Sequence, residues 1–102
     1  MIIISASITT TPANREDIVS LCAEHSVRSR AEPGCISHHI HADCEDPSRL
    51  FFHEEWEDAA SVAKHFADSD AREFVKRLTV LVGDRPDMQM YQVQEISSAD
   101  LV

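Results

Sequence analysis

The chain is expected to fold as an α+β protein in the order strand, helix, strand, strand, helix, strand. Three observations carry that expectation. Ile2, Ile4, Ala6 and Ile8 alternate at the N-terminus, which is the period of a half-buried strand. Leu50 to Glu57 alternates again and is rich in aromatic residues. Between these two stretches, Ile18, Leu21, Cys22 and His25 recur at helical spacing.

The first strand runs from Ile2 to Thr10. Thr11 is then expected to cap a helix with Pro12 in its first position. That helix continues to about Arg30, where Glu32-Pro33-Gly34 breaks it. A second strand follows from Cys35 to Asp43, with Ile36, His38 and Ile40 on one face. Glu45-Asp46-Pro47-Ser48 makes a turn into the third strand. Glu57 or Asp58 caps a short helix carrying Val62, Ala63 and Phe66. A further helix after Asp68-Ser69-Asp70 carries Phe74, Leu78, Leu81 and Val82 and ends at Gly83. Met88 to Ile96 is the fourth strand.

This order is the split βαβ arrangement of the ferredoxin-like fold, with helices on one face of an antiparallel sheet. The other face also carries apolar groups: Ile3, Phe51, and one of Met90 or Tyr91. A face of that kind is expected to be buried against a second copy of the same sheet, making a homodimer.

Size and charge narrow the function. A chain of 102 residues makes one domain, 1–102. Its net charge of -9 argues against nucleic acid and anionic membranes, both of which select clustered Lys and Arg. No basic leader or long apolar run is present, and Cys22, Cys35 and Cys44 lack CxxC spacing. A cytoplasmic protein with reduced thiols is expected. Gly34 and Gly83 are the two glycines, so there is neither a phosphate loop nor GxGxxG, and no GxSxG elbow occurs. Cys35 follows a turn, but the charges near it in sequence, Glu32 and Asp43, are acidic, which disfavours a thiolate nucleophile.

Four residues are candidates for chemistry. Glu54 shares a strand face with Leu50, Phe52 and Trp56; a carboxylate desolvated between two aromatics suits a proton acceptor. A solvated Glu paired with Arg28 or Lys64 is the bland alternative. Trp56 can be a core anchor, a platform for an aromatic substrate, or both. His65 lies near the edge of the buried side of its helix and can transfer protons or simply bond a backbone carbonyl. His38 faces the helices with Ile36 and Ile40. Glu54, Trp56, His38 and His65 are therefore expected to line one pocket. His39 and His41 share the opposite strand face, near His53 and Cys44. With no HxxxH helix pair or CxxC, that run reads as surface or interface rather than a metal site.

With these residues in hand, the chain resembles the antibiotic biosynthesis monooxygenase (ABM) domain proteins over nearly its whole length. The resemblance rests on Glu32-Pro33-Gly34-Cys35-Ile36, Asp46-Pro47-Ser48-Arg49, Glu54-Glu55-Trp56-Glu57-Asp58, His65 and Phe74. It implies a dimeric α+β barrel and a cleft between sheet and helices. It also implies oxidation of quinols or polycyclic aromatics by O₂ without metal, haem or flavin. The departures matter. Trp56 matches the strand tryptophan of the actinorhodin-type members, but Phe52 and Val62 stand where those have asparagine and tyrosine. Ala6, His65 and Val75 stand where the haem-degrading branch has its asparagine, tryptophan and histidine. The quinol-monooxygenase branch, with a histidine at the position of His65, fits better.

The expected activity is therefore cofactor-independent oxidation of a small quinol, phenolic or polycyclic aromatic substrate. Glu54, His65 or His38 would remove a phenolic proton, and the anion would pass an electron to O₂. A non-catalytic dimeric ligand-binding or stress-response protein, or an isomerase on the same scaffold, is the alternative.

Overall fold

Pairing between distant segments determines the architecture. The computed structural model describes residues 1–102. Strands β1 (Ile2–Thr9), β2 (Cys35–Ala42), β3 (Arg49–Trp56) and β4 (Asp87–Gln92) form one antiparallel sheet in the order β2-β3-β1-β4. Helices α1 (Arg15–Arg30), α2 (Ala59–Ala67) and α3 (Ser69–Val82) connect them, and a 3₁₀ turn spans Ser98–Leu101. This is the ferredoxin-like arrangement, with the β3–β4 connection divided into two helices by Asp68.

The registers sort side chains onto two faces. Ile4, Ala6, Ile8, Leu50, Phe52 and Trp56 are buried. Ala6, Ile8, Leu50 and Phe52 pack with Ile18, Cys22, Phe74 and Leu78, whereas Ile4 and Trp56 pack with Val62 as a separate smaller cluster. On the opposite face Ile3 pairs with Tyr91 across the β1–β4 ladder, and Ser7 with Phe51 across β1–β3. Tyr91, not Met90, is thus the residue sharing the outer face with Ile3. Tyr91 is 52% exposed and Phe51 38%.

Four local expectations are corrected. Helix α1 begins at Arg15, not Pro12, because Thr11 to Asn14 closes on itself first. Asn14 Oδ1 accepts from the Thr11 backbone at 2.7 Å, and Thr11 Oγ1 accepts from the Asn14 backbone at 3.3 Å. Strand β4 stops at Gln92 rather than Ile96, because Gln92 already lies opposite Ile2. The last link is Val93 N–H to the Met1 carbonyl at 2.9 Å. Ile36 does not share the inner face with His38: the register shifts between Cys35 and Ser37, and Ile36 is left as the exposed bulge residue. On α2 the buried positions are Val62 and His65, whereas Phe66 is 41% exposed.

Turn chemistry links the two halves of the fold. Gly34 adopts φ +85°, in the left-handed region that favours glycine, and its carbonyl accepts from Glu57 N–H at 2.8 Å. The turn after α1 is thereby held against the start of α2. Asp58 caps α2 by accepting from Ser61 N–H at 2.8 Å, which holds the Asp58 carboxyl below its usual range. Asp68 caps α3 through Ala71 N–H at 3.1 Å, and Gly83, also at φ +85°, terminates it.

Candidate active site

Five polar side chains are buried where sheet and helices meet: His25 and Ser26 from α1, His38 from β2, Glu54 from β3 and His65 from α2. Register explains the strand pair. His38 lies directly opposite Glu54, and the alternation of β3 puts Glu54 between Phe52 and Trp56. The bulge before His38 restores its inward orientation after the turn.

Each group has specific contacts. Trp56 Nε1–H donates to Glu54 Oε1 at 3.0 Å. His38 Nε2 lies 3.3 Å from the same oxygen but out of line for a hydrogen bond, and so has no partner. His38 Nδ1 is 2.9 Å from the Ser26 hydroxyl, and the His38 carbonyl accepts from Arg30 Nη1 at 2.9 Å. His65 Nδ1–H donates to Glu32 Oε2 at 2.7 Å. The His25 ring stacks on Phe74 with centroids 3.8 Å apart and planes 2° from parallel, and its Nδ1 is also without a partner.

Glu54 and His65 line a cavity of about 410 Å³ with His25, Phe52, Phe66 and Phe74, and Arg72 contributes to its wall. The size suits a one- or two-ring molecule, and aromatic walls with a few polar groups are the usual composition of a small-molecule site. A larger groove of about 560 Å³ between α1 and α3 is lined mainly by polar and charged side chains such as Asp17, Glu24 and Lys76, and carries none of this buried constellation.

The four sequence-derived candidates come together, but not in equal roles. Glu54 and His65 reach the cavity. His38 and Trp56 are fully buried behind them, with the Trp56 and His65 rings 4.6 Å apart. Trp56 therefore offers no face for a substrate to stack on, contrary to the platform expectation. As the last β3 residue it lies opposite Ile2 and Cys35 and is covered by Val62. Its contribution to the site is the indole N–H. Glu54 accepts from Trp56 and lies against His38, and is not paired with Arg28 or Lys64.

In the sequence His25 belongs to the apolar stripe of α1, Glu32 belongs to the turn motif, and Ser26 carries no distinguishing pattern. The available signal was a titratable residue three positions after Cys22, on the buried side of α1. His39 and His41 remain exposed on the outer face, their rings 6.3 Å apart. Burial pushes the Cys22 thiol up to about 12. It also pushes Cys35 up to about 11, aided by the Glu54 and Glu32 carboxylates, so neither supplies a thiolate near neutral pH. No helix is long and apolar enough to cross a membrane.

Comparison with known proteins agrees with this architecture. A family model described as antibiotic biosynthesis monooxygenase matches residues 1–77. An uncharacterized Synechocystis protein, sll1783, is 33% identical over 95 residues; the match covers 92% of this chain and 64% of that protein. The chain thus spans under two thirds of that relative's length. A Deinococcus radiodurans structure described as a candidate antibiotic biosynthesis monooxygenase superposes with a TM-score of 0.89 at 16% identity, covering 96% of this chain and 97% of that one. A conserved Methanosarcina mazei protein gives 0.85 at 22% identity, covering 91% and 92%.

Proposed function

Because the chain belongs to the antibiotic biosynthesis monooxygenase family, we propose that it oxidises a small quinol or electron-rich phenol with O₂ in the cavity between sheet and helices. The observation that carries this reading is the Glu54 carboxylate. It reaches an aromatic-walled cavity, anchored by the Trp56 N–H, with His65 on the same wall.

In this reading the ring sits among Phe52, Phe66 and Phe74, and its hydroxyl points to Glu54 and His65. Glu54 accepts the phenolic proton, and His65, oriented by Glu32, is the second proton-handling group. The phenolate passes an electron to O₂ more readily than the neutral phenol does. One oxygen atom then enters the ring and the other leaves as water, so a phenol plus O₂ yields a quinone plus water. No flavin or haem is needed for that electron transfer. The protein supplies orientation, water exclusion and the proton acceptor. The same proposal extends to assembly: Ile3, Phe51 and Tyr91 on the outer sheet face meet their counterparts in a second copy.

The test is O₂ uptake across a panel of quinols and naphthols. Glu54→Gln and His65→Ala should each fold and lower turnover roughly 10²-fold or more, the usual contribution of general acid–base help. Unchanged turnover in both variants, or ligand binding with no O₂ uptake by the native chain, would place the binding-protein reading ahead.

A further inference from the structure

We propose that His25, His38 and His65 form a three-histidine site for a first-row divalent transition ion. The three residues come from α1, β2 and α2, so sequence spacing gives no hint of it. One donor nitrogen from each ring lies within 4.8 Å of the other two. The ring centroids are 5.1 Å apart for His25 and His38, 5.3 Å for His25 and His65, and 5.7 Å for His38 and His65. Three imidazoles on one tetrahedral ion have centroids about 5.2 Å apart, taking a metal–nitrogen bond of about 2.1 Å and about 1.1 Å from nitrogen to ring centre. The rings are therefore already spaced for an ion. Modest side-chain rotation would bring the donors to the roughly 3.4 Å separation of a tetrahedral site.

The outer contacts point the same way. Ser26 at His38 Nδ1 and Glu32 at His65 Nδ1 engage one nitrogen of each ring and leave Nε2 of each for the ion. A carboxylate or hydroxyl behind a ligating histidine is the usual orienting arrangement. His25 Nδ1 and His38 Nε2 are without a hydrogen-bond partner, and both residues of the cluster are at least nine-tenths buried. Glu54 Oε1, 3.3 Å from His38 Nε2, adds an anionic oxygen beside the set. Imidazole donors suit zinc, cobalt, nickel, copper or iron, whereas magnesium and calcium require mainly oxygen ligands.

This inference goes beyond the proposed oxidation and does not depend on it. An ion on these nitrogens would occupy the His65 lone pair that the oxidation uses for a proton, so the ion-loaded chain should be the less active form.

The experiment uses the full chain, stripped with a chelator and titrated with Co²⁺ and Zn²⁺. Calorimetry and elemental analysis should give one ion per chain, and Co²⁺ should show the visible absorption of a low-coordinate ion. His65→Ala and His25→Ala should each weaken binding at least 10²-fold. Glu32→Gln, which keeps an acceptor for His65 but removes the charge that raises its basicity, should cost about tenfold. His39→Ala/His41→Ala should leave affinity unchanged. Because substitution of a buried histidine can unfold the chain, imidazole NMR signals of the native protein provide a second readout. Those of His25, His38 and His65 should shift together with one equivalent of Zn²⁺. Substoichiometric binding, binding lost with His39 and His41 instead, or unmoved signals from the three buried rings would overturn the proposal.

Discussion

Glu32, in the turn that ends α1, holds His65, in the last turn of α2, through a 2.7 Å contact between Oε2 and Nδ1. The contact joins residues 33 positions apart and sets which imidazole nitrogen remains for other work. It also gives the Glu32-Pro33-Gly34 turn a consequence beyond breaking a helix. Proline and glycine bend the chain so that the preceding carboxylate meets the next helix.

Glu32 is thus a positioning residue for His65. Glu32→Ala should lower kcat for quinol oxidation about tenfold while KM stays within about twofold, since the ring loses orientation and the cavity walls do not change. Glu32→Gln, which can still accept a hydrogen bond, should retain more activity. Equal losses in both variants accompanied by a lower Tm would indicate a purely structural contact.

Gly34 and Gly83 share φ +85°, but their surroundings differ. A Cβ on Gly34 would overlap the Ser61 side chain, whereas one on Gly83 meets nothing within 4 Å. Gly83→Ala should cost about 1–2 kcal/mol, the penalty of left-handed backbone alone. Gly34→Ala should cost about 1–3 kcal/mol more, as overpacking is added. Urea denaturation of the two variants isolates the difference, and equal costs would mean that Ser61 yields freely.

His25 should make the fold acid-sensitive. Burial, then the neighbouring His38, His65 and Arg28, push it down from 6.5 to about 3. The unfolded chain therefore binds a proton that the folded chain refuses. The stabilising effect of this neutral ring is complete above about pH 6.5 and is lost as pH falls toward 3, by up to about 1.4 kcal/mol per pH unit. His25→Leu should flatten that acid limb in a pH series of denaturation midpoints. An unchanged limb would show that the ring is protonated in the fold.

Phe51 tests the proposed dimer. Its ring stacks on His41, centroids 5.1 Å apart, and the pair forms a broad platform on the open sheet face. Phe51→Glu should abolish the dimer in light scattering and, with the outer sheet face left uncovered, lower far-UV circular dichroism as the protomer unfolds. A native chain that scatters as a monomer at high micromolar concentration would remove the premise.

Much of the architecture was legible because it depends on short-range chemistry. Alternation identified β1 and β3, helical spacing identified α1 and α3, and Glu57 or Asp58, Asp68-Ser69-Asp70 and Gly83 marked helix ends; the structure selects Asp58 and Asp68 as the caps and retains Gly83. Face and order singled out Glu54, Trp56, His38 and His65 as the lining of one pocket; the fold brings the four together, but only Glu54 and His65 reach the cavity. The misreadings occurred where a distant partner decides a local outcome. Ile36 turned outward because pairing with β3 demanded a bulge, and β4 ended with the Gln92–Ile2 pair of its ladder with β1. Trp56 became a hydrogen-bond donor behind the cavity rather than a wall, because Val62 and Cys35 arrive to cover it. His25 and Glu32 joined the site only when α1, its terminal turn and α2 were packed together. Periodicity determines which face a side chain takes, but the identity of the group it meets across that face comes from the other end of the chain.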